Sequence, residues 1–241
     1  MKRAGPDQAA VTMLARRVFD NIDWRALGDV YFHEGGEALL HERRPRVLEL
    51  GEALGRRLGA LVKRNGSSLW VGAGITELPV LLAEVLLHGR TVTAANLRAP
   101  ECELLNAALA AAAPDVAVRF ECGDARELAP GRAFDHIGCI SVFTDPETWP
   151  LLSDVAYGRI APVQIDVERF VAERHEARAV ASGLFARLTR PGVVTTTAEE
   201  VSWWLEVATA NGCTIDASDD LVETAMVGDP VGFLTVAAAT A

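Results

Sequence analysis

Leu69-Trp70-Val71-Gly72-Ala73-Gly74-Ile75-Thr76-Glu77 joins an apolar run to an amphipathic segment through two glycines spaced G-x-G. A parallel α/β sheet builds nucleotide sites in this way. Glycine lets the backbone pass close to a ligand, and free N–H groups at the start of the following helix face it. A tight strand-to-helix turn also needs glycine for steric reasons alone, so the chain on either side has to decide the reading.

Downstream, strand and helix patterns alternate. Ser68 to Gly72 reads as a first strand, with Thr76 capping the next helix and Pro79 in its first turn. Leu78, Leu81, Leu82, Val85 and Leu86 form the buried stripe of that helix, and Gly89 closes it. Arg90 to Leu97 is a second strand, and Pro100 opens a helix with Leu104, Leu105, Ala108 and Leu109 facing inward. Val116 to Glu121 and Phe134 to Phe143 read as the third and fourth strands. A long helical pattern runs from Ile165 to Leu188, a fifth strand from Gly192 to Thr197 and a helix from Glu199 to Asn211. Two extended segments, Cys213 to Ala217 and Gly232 to Ala239, close the chain around a Gly228-Asp229-Pro230 turn. Alternation predicts a parallel sheet covered on both faces, and the helix-free final pair predicts an antiparallel strand.

Upstream, Val11, Leu14, Ala15, Val18 and Phe19 form one helical stripe. Val47, Leu50, Leu54, Leu58, Leu61 and Val62 form another, stopped by Asn65-Gly66. The stretch from Trp24 to Arg46, with Gly35, Gly36 and Pro45, reads as a loop-rich connection holding one short helix. The expected organisation is an N-terminal helical extension over residues 1–66 and an α/β domain over 67–241.

The chain has 241 residues, half of them hydrophobic, which suits one large core. Its apolar runs fall short of the roughly 18 residues of a membrane span, and no secretory signal opens it, so a soluble, cytoplasmic protein is expected. Cys102, Cys122, Cys139 and Cys213 lack C-x-x-C spacing and read as reduced thiols. The histidines lack metal-ligand spacing, His33 and His41 included, so no metal site is expected. A formal charge of −10 runs against phosphate neutralisation. The basic cluster around Arg43, Arg44 and Arg46 alternates with glutamates and reads as a solvated helix face.

From Ser67 onward the chain resembles the class I S-adenosylmethionine-dependent methyltransferases. The resemblance rests on Leu69 to Gly74, on Ala95-Asn96-Leu97 after the second strand and on Cys122-Gly123-Asp124-Ala125 after the third. Phe134-Asp135 and Leu188-Thr189-Arg190-Pro191-Gly192 add to it. It implies a doubly wound, mostly parallel seven-stranded sheet of order 3-2-1-4-5-7-6 whose last strand is antiparallel. It also implies S-adenosylmethionine as cofactor. Gly72, Ala73 and Gly74 would pass beside the methionine part and ribose, and Glu77 would reach a polar group of the ligand. Asn96, with Leu97, stands where the family carries an acid that bridges the ribose hydroxyls. Asp124 matches the acceptor of the adenine amino group, with the Ala125 N–H on the ring and Ser141 beside the sulfonium. Each has a plainer role as well: Glu77 complements the helix dipole and Asp124 closes an Asx turn.

The departures from the family pattern are Trp70 in place of an acid, Thr76 in place of a third glycine, and Asn96. Asp145, after the fourth strand, is the candidate catalytic base or substrate contact, and Asp-Pro is equally a turn starter. Glu199 and Glu200 do not form a recognisable metal set. Tyr31, Phe32, His33, Trp149 and Tyr157 are candidates to cover the substrate. The function implied is methyl transfer to a small molecule, with no nucleic-acid or membrane partner evident. A non-catalytic binder of an adenosyl metabolite is the alternative, and a dinucleotide oxidoreductase is disfavoured by the missing third glycine. Trp and Leu positions of the N-terminal helices are candidates for a homodimer contact.

Overall fold

The computed structural model describes residues 6–32 and 34–238. Three helices come first: α1 (Gln8–Phe19), α2 (Trp24–Tyr31) and α3 (Gly36–Leu61). Asp7 and Asp23 start the first two by accepting the N–H groups of Ala10 and Ala26 at 2.9 and 3.0 Å. The loop-rich stretch expected over Trp24 to Arg46 is instead almost wholly helical, with Pro45 inside α3. Local breakers lose here to packing. A Cβ on Gly28 would stand 2.5 Å from the Glu37 nitrogen, so Gly28 and Gly36 let α2 and α3 touch backbone to backbone. Arg44 pins the pair, stacking 4.9 Å from the Trp24 ring and meeting Asp20 at 2.7 Å.

The sheet is assembled from β1 (Ser67–Val71), β2 (Thr91–Asn96), β3 (Phe120–Cys122), β4 (Phe134–Cys139), β5 (Leu188–Thr197), β6 (Cys213–Ala217), β7 (Val222–Glu223) and β8 (Pro230–Ala238). Its order is β3-β2-β1-β4-β5-β8-β6, with the short β7 added on β8. The β1–β5 strands run parallel, and β8 runs antiparallel to both β5 and β6. With β7 set aside, this is the order expected from the sequence. The connecting helices are α4 (Leu78–His88), α5 (Ala99–Ala112), α6 (Pro150–Ala156), α7 (Val167–Ala186) and α8 (Val201–Ala210).

Two strands are shorter than their sequence runs. Val118 packs into the core without a ladder partner, and the Asn106 side chain holds both backbone groups of Phe120 at 2.9 and 2.8 Å, so β3 begins only there. The β4 strand stops at Cys139 because Ser141 takes a left-handed φ of 55° and turns the chain out of the sheet. The α6 helix was not foreseen, and β5 begins four residues earlier than expected, at Leu188.

Neighbouring strand residues feed opposite faces. Trp70 joins a core shared by α1 to α5, whereas Leu69 joins one shared with α7 and α8. The N-terminal helices therefore belong to the same apolar cluster as one face of the sheet: Leu54 and Leu58 lie with Val80 and Ala83 of α4. Trp70, in the place of the family acid, is buried and donates its indole N–H to Glu84, itself fully buried against Arg90 at 2.7 Å. Among the described residues no helix is long and apolar enough to cross a membrane.

Candidate functional site

Crossovers leave β1 on one side of the sheet and reach β4 on the other, so a crevice opens at the carboxyl ends of these strands. It is a cleft of about 1060 Å³, at the upper end of the roughly 300–1000 Å³ of small-molecule sites. Gly72, Gly74, Glu77, Asn96, Leu97, Asp124, Ala125, Ser141 and Asp145 all line it. Ala73 does not; it is fully buried, with its N–H donated to the Ala95 carbonyl at 3.0 Å. His33 lies outside the described residues.

The glycine turn differs from expectation in one respect that governs its chemistry. Thr76 does not cap α4; its hydroxyl donates to Glu77 Oε1 at 2.6 Å, Glu77 takes the cap position and the helix begins at Leu78. The Gly74 N–H donates to Glu77 Oε2 at 2.8 Å and the Ile75 N–H to Glu101 Oε1 at 3.3 Å. Buried carboxylates thus occupy donors that the sequence reading had left open to a ligand. Glu101 was not foreseen, since an acid just after Pro100 reads as a helix-dipole partner. Its carboxylate fills the space beside Gly74 where a Cβ would clash, which is a steric reason for that glycine. Gly72 needs its freedom for a φ of 66°.

Burial pushes Glu77 up to about 7, opposed by the bonds from Thr76 and Gly74 and reinforced by Glu101. Glu101 is also raised by burial, although Tyr31, Asn96, Ile75 and Arg98 pull it back. The Tyr31 hydroxyl donates to Glu101, so α2 reaches the floor of the glycine turn.

Asn96 is 3% exposed and fully engaged. Its amide donates to Ala73 O and Glu101 Oε2, both at 2.8 Å, and its oxygen accepts the Arg98 N–H at 2.8 Å. Leu97 stands 67% exposed at the mouth of the cleft. Asp124 Oδ1 accepts the Arg126 N–H at 2.8 Å, an Asx turn, and the Arg126 guanidinium grips the carboxylate and holds it below its usual range. Ser141 keeps its left-handed backbone, and its buried hydroxyl has no hydrogen-bond partner among the described residues. A non-glycine residue in this conformation marks strain of the kind that clusters at functional sites.

Asp145 accepts from Thr148 Oγ1 at 2.7 Å and from the Glu147 N–H at 3.3 Å. Arg98 spans the crevice, bonding Glu147 at 2.9 Å, lying 3.7 Å from Asp145 and stacking 5.0 Å from the Tyr31 ring. Beneath them Glu200, raised by burial to about 8, accepts the Phe143 N–H at 2.6 Å and fixes the chain leaving β4. Tyr31, Phe32, Trp149 and Tyr157 line the cleft, joined by Ala225, Met226 and Val227. Among the described residues no cluster of histidine, cysteine or acid side chains has the makings of a metal site.

The strand order, the antiparallel final strand and the crevice at the switch point define the class I S-adenosylmethionine-dependent methyltransferase fold. The sequence matches no family model and no curated protein. Among solved structures it is similar to NSun6 from Pyrococcus horikoshii, solved with SFG, at a TM-score of 0.52 and 13% identity over 78% of this chain and 52% of that one. The 16S rRNA methylase RmtB is similar at a TM-score of 0.49 and 14% identity over 97% and 76% of the two chains. TrmN from Thermus thermophilus follows at 0.48 and 20% identity over 77% and 48%. The chain thus spans about half the length of TrmN and of NSun6. At these identities the likeness is one of fold.

Proposed function

We propose that the chain is an S-adenosylmethionine-dependent methyltransferase acting on a small molecule, with residues 1–66 forming the cover of its cleft. The observation that carries this reading is the pair of buried acids at the glycine turn. A phosphate would meet no open N–H at Gly74 or Ile75, and its charge would drive Glu77 and Glu101 further from ionisation. A cationic sulfonium or ammonium would favour their carboxylate forms instead. The donor set therefore suits an adenosyl amino acid and not a dinucleotide pyrophosphate.

Gly72, Gly74 and Glu77 would flank the amino-acid end and sulfonium, with Ser141 on the side of β4. Asp124 and the Ala125 N–H would address the adenine, and Asn96 with Leu97 the ribose edge. Bound there, the cofactor supplies an electrophilic methyl group, and the work of the chain is to align an acceptor and exclude water. Asp145 is the candidate base, held at the cleft wall by Thr148 and Arg98.

The lining supports a small acceptor over a nucleic acid: six acidic side chains face the cleft against three arginines, and Arg98 and Arg126 are already paired. The full engagement of Asn96 favours a second reading, a binder of an adenosyl metabolite without turnover.

Calorimetric titration with S-adenosylmethionine, S-adenosylhomocysteine and NAD tests the proposal. Binding of the first two and not the third is expected; binding of NAD alone, or of none, refutes it. Release of S-adenosylhomocysteine in the presence of metabolite acceptors, and its loss in Asp145→Ala, separates the enzyme from the binder.

A further inference from the structure

An adenosyl amino acid brings a carboxylate into this cleft, and the glycine turn has no donor left for it. The Gly74 and Ile75 N–H groups are held by Glu77 and Glu101 at 2.8 and 3.3 Å. Asp145, Glu147, Glu176 and Asp229 also line the cleft, so an anion without a cation beside it is repelled there as well as unbonded.

Three arginines share that lining. Arg126 is closed on Asp124, whose two carboxylate oxygens accept its Nε at 3.0 and 2.9 Å. Arg159 is stacked 4.5 Å from the Tyr157 ring. Arg98 differs in where it stands. Its guanidinium stacks 5.0 Å from the Tyr31 ring, and the Tyr31 hydroxyl bonds Glu101 and lies 3.3 Å from where a Cβ of Gly74 would be. One aromatic ring therefore separates Arg98 from the glycine turn. Asp145, in the segment after β4, is 3.7 Å from its Nη2. The side chain thus lies between the glycine turn and the chain leaving β4.

Arg98 also differs in what it has left to give. Its backbone is fixed at the head of α5, where its N–H donates to Asn96 Oδ1 at 2.8 Å. Of the guanidinium nitrogens only Nη2 has a hydrogen-bond partner among the described residues, Glu147 at 2.9 Å. Nε and Nη1 have none, and neither is sealed from the cleft. The Glu147 side chain is 63% exposed, and an ion pair so open to water contributes little.

We infer that Arg98 receives the carboxylate of the adenosyl amino acid, with Glu147 as the weak partner that steadies the guanidinium until the ligand arrives. A planar guanidinium meets a carboxylate through two parallel N–H···O bonds, which gives orientation as well as charge. Asn96 then serves the ligand through Arg98, since its own amide is fully engaged. The inference rests on the methyltransferase reading and names the residue that selects its ligand.

The test is calorimetric titration of the full chain with S-adenosylhomocysteine, its decarboxylated analogue and methylthioadenosine. The wild type should prefer S-adenosylhomocysteine to the decarboxylated analogue by at least about tenfold, the worth of a charge-assisted bond. The acid-rich lining alone predicts the opposite order, because removing the carboxylate leaves a net cation. Arg98→Gln should abolish the preference while methylthioadenosine, which has no amino-acid end, keeps its Kd. Arg98→Lys should restore part of it, as a charge without the fork. Should Arg98→Gln fail to fold, Glu147→Gln should tighten S-adenosylhomocysteine by up to about fivefold, the most that an exposed pair is worth, and leave the decarboxylated analogue unchanged.

Equal binding of the two amino-bearing ligands by the wild type overturns the inference. So does a preference that survives Arg98→Gln, or a Glu147→Gln variant that shifts both ligands alike. Failure of the wild type to bind S-adenosylhomocysteine at all defeats the methyltransferase reading itself, and this inference with it.

Discussion

Replacing Glu77 by glutamine separates what the buried acid does for the fold from what it does for a ligand. The amide keeps both contacts, since its oxygen can accept the Gly74 N–H and its NH2 can donate to the Thr76 hydroxyl. Only the titration is lost. In the native protein the carboxyl is raised from 4.5 to about 7, first by burial and then by Glu101. A raised acid binds its proton more tightly folded than unfolded. Its stability contribution is therefore whole below the unfolded pKa and is lost as pH climbs through the folded one.

At about 1.36 kcal/mol for each pH unit, native stability relative to Glu77→Gln should fall by about 2 kcal/mol between pH 5.5 and 8.5. Urea denaturation of both proteins at the two pH values measures this, and their difference isolates Glu77. That difference is needed because Glu200 is raised with the same sign, whereas His136 is lowered by burial and acts oppositely. The same substitution should weaken S-adenosylmethionine more than S-adenosylhomocysteine, which keeps the ammonium but lacks the sulfonium charge. A pH-independent gap between the two proteins would refute the buried-acid argument. An unchanged ratio of the two ligand affinities would refute its link to the sulfonium.

Gly74→Ala would drive a methyl into the Glu101 carboxylate and should destabilise the protein by about 1–3 kcal/mol; in a Glu101→Ala background most of that cost should vanish, giving a coupling readable by denaturant melts. Asp124→Ala should weaken S-adenosylhomocysteine by more than about tenfold, through loss of a charge-assisted acceptor; an unchanged Kd in calorimetry would remove Asp124 from the site. Gly28→Ala would place its methyl 2.5 Å from the Glu37 nitrogen and should cost at least about 1–3 kcal/mol; a thermal midpoint equal to the wild type would mean that α2 and α3 shift apart freely.

The architecture was legible because its signals are local and repeat. The G-x-G turn, the stripe of α4 and the alternation of strand with helix each fix one element, and the helix-free ending fixes the antiparallel partner of β5. Distant partners explain most of what the sequence hid. Gly36 and Pro45 read as breakers, since nothing near them in sequence reveals that Gly28 lies against Gly36. Glu101 is five residues beyond Asn96, yet its role depends on Tyr31, seventy positions earlier in the chain. Gly72 and Gly74 line the cleft, but the steric reason for Gly74 is a neighbouring carboxylate. The contact of Tyr157 with Asp229 carries no spacing signal at all, because the end of α6 and the segment before β8 meet only in the folded chain.

The apolar cluster that runs unbroken from α3 through α4 to Trp70 has a bearing on traffic. The α2–α3 pair that carries Tyr31 cannot swing aside as one hinged flap without stripping Leu54 and Leu58 of α3 of their neighbours on α4, at roughly 25 cal/mol for each Å² laid bare. The cleft is open without any such swing, with Leu97 67% and Val227 64% exposed at its edges.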